Sequence, residues 1–428
     1  MKKWLSCLFV VILFVGLLAG CGKKEKQSLG SKKDVITFWI AENFEGEGKL
    51  WESIVEKYNQ DNPDVEVELS IKPWDKTPMN VALQSKRPPD VAFDWFSPPT
   101  DAYEDLKVDL LEYITPEEKD DFGPQVIARM LSPKGKMIKW PWYLCKSDWM
   151  LANGDLLKQA GVNPEKIQEQ GWDWEEFLLI CQKLSKEGVY AYGDAQNPDT
   201  INALIASLVG PSITGKEPYY EFNWTGADTT GILERYRNLI FKDKVMPKEV
   251  LGIDIFGLHE KFSRKEFAII RSYTAWIPNL EKEGNISKVY ILPYQDQGGM
   301  RFIPRLGVSG WAVFKQEPSP GKEHLKNVVK FTKCISQPIA GEFIPMQWGG
   351  LPSAKSHRGN YIQGLKSDPN LIFTKKFVEN SKISADLPKV ANKINEIVNT
   401  YISEAMSGQI TAQMAVGKWT AEVAKVLR

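Results

Sequence analysis

Tryptophan set among carboxylate, amide and guanidinium side chains is the pattern in this chain with chemical content. Asp94 and Trp95 close a short apolar segment, Trp140 and Trp142 flank Pro141, and Arg271 and Tyr273 stand just ahead of Trp276. Glu42 and Asn43 end a β-branched run at a turn that opens a helix. A pyranose presents an apolar C–H face and a belt of hydroxyls, so its site needs flat aromatic platforms with hydrogen-bonding groups around the rim. The chain has 15 tryptophans, enough for several such platforms. Each ring has an alternative place in a core, and Trp39, Trp51, Trp174 and Trp419 fit core stripes. The polar groups have their own ordinary alternative as helix caps or solvated loop residues. A second chemistry draws on the same side chains, because two carboxylates such as Glu42 and Asp94 would serve as acid and base or nucleophile in glycoside hydrolysis. Carboxylates at strand ends accept hydroxyl hydrogens equally well, so product formation is what separates the two.

Other chemistries lack their residues. Gly46-x-Gly48 follows a strand, but the third glycine of a dinucleotide loop is missing. His259, His324 and His357 are scattered, with no cysteine or carboxylate at metal-ligand spacing. No nucleophile elbow or Walker-type loop is present. No catalytic residue, metal or cofactor is therefore expected. The formal charge is zero, which argues against nucleic acid, since phosphate binding needs a surplus of lysine and arginine.

The elements that must hold these residues alternate. Val35 to Ile40 is a β-branched and aromatic strand, and Leu50, Trp51, Ile54, Val55 and Tyr58 then recur at helical spacing up to the turn before Pro63. Val65, Val67, Leu69 and Ile71 alternate with polar residues as a half-buried strand, a helix runs through Met79 to Gln84, and Val91 to Phe93 forms the next strand. Strand, helix, strand, helix, strand implies a parallel α/β sheet, with ligands at the strands' carboxyl ends. Further helices are predicted at 156–160, 174–184, 201–209 and 232–241, and strands at 267–270, 289–292 and 308–314. The stretch 389–428 reads as two helices broken near Ser407-Gly408.

The beginning of the chain carries a different signal. Lys2 and Lys3 precede an apolar run from Leu5 to Leu18, shorter than the roughly 20 residues that cross a bilayer, so it reads as a signal-peptide core. Leu18-Ala19-Gly20-Cys21 resembles the lipobox of bacterial lipoproteins. That resemblance implies cleavage after residue 20, lipidation of Cys21, and a polar tether over 21–33 that holds the domain at the extracytoplasmic face of the cell membrane. Loss of Lys2 and Lys3 leaves 52 basic residues against 54 acidic. Cys145, Cys181 and Cys334 remain, an odd number that allows one disulfide at most and favours free thiols.

Several segments in order resemble the sugar-binding, maltose-binding-protein-like branch of the extracellular solute-binding proteins of ABC transporters. Ile36-Thr37-Phe38-Trp39 resembles the family's opening strand, Tyr58 to Glu68 its helix end and second strand, and Arg87-Pro88-Pro89-Asp90-Val91 its Gly-x-Pro-Asp-Val segment. Gly135 to Pro141 is similar to the family's approach to the first crossover, Asn153 to Gly161 to its YNKDLFKKAG helix, and Trp172 to Phe177 to its Thr-Trp-Asp-Glu-Phe segment. Phe262 to Trp276, Leu306 to Phe314 and Gly349 to Lys355 complete the series. The resemblance implies a two-lobed α/β fold of the type II periplasmic-binding-protein kind, with lobe one at 34–140 and 309–349 and lobe two at 141–308 and 350–428. It also implies a cleft that closes on a ligand by a hinge motion, and it brings Trp276, Trp311 and Trp348 near that cleft. It implies a monomer that captures a carbohydrate, expected to be an oligosaccharide, and delivers it to permease subunits without chemistry of its own. The alternatives are a secreted carbohydrate-active enzyme and a surface lipoprotein with a protein partner. Ala152, Lys139 and Arg87 depart from the family pattern, so ligand identity is not carried over, and Arg271 with Arg305 keeps an acidic saccharide open.

Overall fold

The structure, a computed structural model, describes residues 33–41, 46–72, 77–93, 103–132, 134–145, 149–186, 188–195, 197–216, 218–294, 305–337, 351–363, 368–379, 382–383 and 390–427. Among them no helix is long and apolar enough to cross a membrane.

Thirteen strands are described: β1 (Asp34–Ala41), β2 (Val65–Lys72), β3 (Val91–Phe93), β4 (Trp140–Cys145), β5 (Trp149–Asn153), β6 (Tyr190–Gly193), β7 (Ile213–Lys216), β8 (Tyr219–Phe222), β9 (Phe267–Ser272), β10 (Val289–Leu292), β11 (Arg305–Val313), β12 (Leu351–Pro352) and β13 (Lys382–Ile383). β1 pairs in parallel with both β2 and β3, as the alternating pattern predicts, with the intervening helix Glu47–Asp61 burying Trp51, Ile54, Val55 and Tyr58. The first sheet runs β12-β4-β11-β3-β1-β2, with β13 added beside β11, and the second runs β10-β5-β9-β6. β7 and β8 form a separate hairpin.

Each sheet has its own core. The first draws on Ile36 to Leu144 and Trp311 to Ala354, the second on Trp149 to Tyr294 and Phe373 to Val423. β4 and β12 pair within the first sheet, and β11 meets β4 from Gly307 onward. β4 runs through Pro141, since a proline breaks a strand only where its missing N–H is needed. Here β11 is bulged between Ser309 and Gly310, and Gly310 faces Pro141. A Cβ on Gly310 would lie 2.2 Å from the Trp140 carbonyl oxygen, so only glycine lets the two backbones come this close.

Strand directions decide where the two sheets meet. The carboxyl ends of β1, β2, β3 and β4 and the amino end of β11 share one edge of the first sheet. The carboxyl ends of β6, β9 and β10 and the amino end of β5 share one edge of the second. Residues 146–148 connect β4 to β5, so Cys145 and Trp149 are at most about 14 Å apart. The chain likewise leaves β10 and enters β11 at these same two edges. The edges that gather the strands' carboxyl ends are therefore the ones that the crossovers hold together.

Candidate functional site

At the second sheet's edge, short segments after each strand carry the polar and aromatic groups. β9 ends on Arg271 and Ser272 and runs through Tyr273 into a turn, Thr274–Trp276, that opens the helix Ile277–Gly284. β6 ends at Gly193 and is followed by Asp194, and β10 is followed by Tyr294. Arg271, 6% exposed, donates from Nε to the Tyr294 hydroxyl at 3.2 Å and lies 3.9 Å from the carboxylate of Asp194, which is fully buried. The Tyr236 hydroxyl donates to Asp194 at 2.5 Å and sits 2.9 Å from that of Tyr192. Burial, and then the negative charge of Asp194, pushes both phenols well up, so they remain neutral donors.

Trp276, four residues beyond the end of β9, is half-buried. Its ring packs 4.9 Å from the imidazole of His259 and edge-on, at 5.5 Å, to Phe256, which is exposed. His259 is buried against Ser272, and burial takes its pKa down to about 4, so the group behind Trp276 is a neutral ring. A partly exposed aromatic ring and a buried hydrogen-bonding cluster thus both stand at the end of β9, reached through the consecutive residues Ser272 and Arg271.

The structure sorts the residues predicted from sequence into three groups. Arg271, Tyr273 and Trp276 come together at this edge. Trp140, Trp142 and Trp311 do not join them, because they are core aromatics of the first sheet, each no more than 2% exposed. Trp311 is enclosed by Phe38, Trp51, Phe93 and Trp142 at centroid distances of 4.6–5.6 Å, and Trp142 shares Trp51 and Phe93 with it. Trp140 is packed edge-on against Phe122, with the Lys333 ammonium over its ring. A ring enclosed in this way has no face left for a ligand. Glu42, Asn43, Asp94, Trp95 and Trp348 lie outside the described residues, as do Cys21, the signal segment and most of the tether. Cys181 and Cys334 are free thiols.

Sequence reading missed Asp194, Tyr192, Tyr236 and Tyr294. The available signal was Tyr190-Ala191-Tyr192-Gly193-Asp194, an aromatic strand ending on a carboxylate, the same pattern that singled out Asp94.

Comparison with known proteins agrees with this architecture. A solute-binding protein of an ABC transporter from Thermotoga lettingae TMO, bound with α-D-tagatose, superposes with a TM-score of 0.70 at 18% identity, covering 92% of this chain and 100% of that one. A Thermus thermophilus maltotriose-binding protein, bound with maltotriose, gives 0.68 at 18% identity over 92% and 100%. These likenesses establish the two-lobed α/β fold of periplasmic binding proteins. The arabinooligosaccharide-binding protein of Bacillus subtilis (strain 168) is 25% identical over 258 residues, which span 58% of this chain and little more than half, 56%, of that relative. Residues 41–338 match the family described as bacterial extracellular solute-binding protein, and the chain belongs to that family.

Proposed function

We propose that this protein is a receptor that captures a carbohydrate between its two lobes and passes it to the permease of an ABC importer. One observation carries the reading: Trp276, Arg271 and Tyr294 all stand at the carboxyl-end edge of the second sheet, the edge that the crossovers hold opposite the corresponding edge of the first. An aromatic face beside N–H and O–H donors is the complement of a sugar ring. The named relatives and structural neighbours, which bind arabinooligosaccharide, tagatose or maltotriose, support the same class. In this reading lobe one comprises 34–145 with 305–354, lobe two comprises 149–294 with 368–427, and closure on the ligand generates the affinity. Glu42, Asn43, Asp94, Trp95 and Trp348 complete the site from outside the described residues. The protein performs no reaction on its cargo, works as a monomer, and is held at the extracytoplasmic membrane face by lipid on Cys21.

The test is a thermal-shift screen of the chain from Gly30 against arabino-, malto- and xylo-oligosaccharides and free hexoses, with chromatography of each hit. A ligand at 100 times its Kd stabilises the fold by about 2.7 kcal/mol, which such a screen detects. A shift with the sugar recovered intact supports the receptor, and a shift with cleaved sugar replaces it with an enzyme. No shift anywhere in the panel removes carbohydrate as the cargo. Replacing Cys21 with alanine is expected to release the protein from the membrane fraction, and retention there would contradict lipid anchoring.

A further inference from the structure

The helix Lys322–Ile335 carries four lysines, Lys322, Lys326, Lys330 and Lys333, against one acid, Glu323, in a chain whose formal charge is zero. At about 3.6 residues per turn the four fall within a sector about 80° wide, so they form one stripe along the helix. Lys322, Lys326 and Lys330 are exposed, while Lys333 is half-buried on Glu118. Lys326 pairs with Glu323, and Lys330 donates to the Asn62 side chain, both at the surface. Contacts this exposed contribute little, so an anion arriving from solution competes with them readily. The side of the helix that packs on the sheet holds the start of the fold: Asn327 donates to Asp34 at 2.8 Å, and the His324 ring lies 2.7 Å from it. Asp34 opens β1, so the tether joins the fold within about one helix diameter, roughly 10–12 Å, of the stripe.

The length and charge of the chain ahead of Asp34 select what the stripe meets. Between Cys21 and Asp34 lie 12 residues, which span at most about 45 Å, so a lipid on Cys21 keeps this face within reach of the bilayer. Those residues carry Lys23, Lys24, Lys26, Lys32 and Lys33 against Glu25, the same sign as the stripe and the opposite of anionic headgroups. We infer that the lysine stripe on the helix Lys322–Ile335 is a docking face for anionic phospholipid headgroups, on which lobe one rests while the chain is anchored; the inference rests on the lipid anchoring proposed above. A short tether gives the stripe an effective headgroup concentration of about millimolar, so weak contacts suffice. Each lysine brought to an anionic surface strengthens binding about fivefold. The contacts of His324 with Asp34 and Asp90 place the start of the helix at the amino ends of β1 and β3. That side faces away from the carboxyl-end edge at the cleft, so docking leaves the cleft open to its ligand.

The experiment is cosedimentation of the chain from Gly30, which lacks the lipid and three of the tether lysines, with vesicles of phosphatidylcholine alone or mixed equally with phosphatidylglycerol. Salt is varied from about 0.05 M to about 0.5 M NaCl, which shortens the reach of surface charge. The wild-type chain is expected to bind only the phosphatidylglycerol vesicles, and only at low salt. The triple variant Lys322→Gln, Lys326→Gln, Lys330→Gln is expected to lose at least about tenfold in partition. Removing the same charge from exposed positions of lobe two, Lys158→Gln, Lys183→Gln, Lys248→Gln, is expected to leave most of the binding in place. Thermal transitions check that both variants fold, and if either does not, the wild-type comparison of the two vesicle types decides alone. No preference of the wild type for phosphatidylglycerol overturns the inference, as does an equal loss in the two variants, which would assign binding to net charge. Because the assay contains no lipidated protein, these outcomes are separate from the anchoring itself, which fractionation of Cys21→Ala decides.

Discussion

His324 should make the first lobe lose stability in alkali. The residue lies in the helix Lys322–Ile335, and its ring bridges two strands: Nδ1 is 2.7 Å from Asp34 at the start of β1, and Nε2 is 3.1 Å from Asp90 just before β3. Asn327 donates to the other oxygen of Asp34, and Thr37 donates from both its N–H and its hydroxyl to the other oxygen of Asp90, so both carboxylates are held in place. A ring with an acceptor at each nitrogen is an imidazolium. The hydrogen bond to Asp90, then that to Asp34 and the charge of both, outweighs burial and raises the pKa from 6.5 to about 9. Because the folded pKa lies above the unfolded one, the contribution is fully present below pH 6.5 and disappears as the pH rises through about 9. A displacement of that size corresponds to roughly 3 kcal/mol at 1.36 kcal/mol per pH unit. A cavity of about 620 Å³, which His324, Asp90, Lys107 and Lys322 help to line, admits water and further charges to the clamp. With that screening, about 2–3 kcal/mol is expected. Urea unfolding at pH 6 to 10 measures it. Wild-type stability should fall by that amount between pH 6.5 and 9.5, while His324→Gln should start lower and lack this decline. Parallel pH profiles for the two proteins would refute the reasoning.

Other expected outcomes concern the second sheet and the core. His259, with its pKa brought down to about 4 by burial, contributes stability above pH 6.5 that is lost as the pH falls toward 4, roughly 3 kcal/mol at most. His259→Phe should flatten that acid limb of the urea midpoint, and an unaltered limb would contradict it. Trp311→Ala should destabilise by about 3–5 kcal/mol, because it empties the middle of an aromatic core; a loss below 1 kcal/mol in denaturant unfolding would place Trp311 outside that core. Trp276→Ala should weaken sugar binding about tenfold with a much smaller effect on stability, and unchanged calorimetric affinity would remove Trp276 from the site. Gly310→Ala should lower the thermal midpoint by several degrees, since its Cβ meets the Trp140 carbonyl.

Legibility from sequence followed the range of the interactions. Segments whose pattern is local were read closely: β10 and the helix Trp174–Leu184 have the predicted limits, and the C-terminal helices end at Met406 and resume at Ala412 around the expected break. The capping box of Asp173 and Glu176 shows why, since start signal and apolar period agree there. β4 was harder to read, because Pro141 argues against a strand until the bulge at Gly310 is known. β5, buried on both faces, shows no alternation, and β6 is only four residues long. The helix Lys322–Ile335 was also passed over, although Leu325, Val328, Val329, Thr332 and Ile335 recur on one face.

The site divided along the same line. Composition finds tryptophans but does not separate a platform from a core ring, because that depends on what other elements bring to each face. Trp142 and Trp311 are enclosed by Trp51 and Phe93, which come from distant parts of the chain. Trp276 keeps partial exposure because it stands on a turn beyond the strand end. Asp194 and Arg271 are 77 positions apart, and only the parallel pairing of β6 with β9 makes them partners.

Capture of a carbohydrate without chemistry is tested most directly by titration calorimetry of the chain from Gly30 with arabinotriose, xylotriose and maltotriose, followed by chromatography of the recovered sugar. One saturable site per chain is expected for at least one of these sugars, with the sugar returned unchanged. No saturable binding by any of them, or recovery of shorter sugars from the cell, would contradict it.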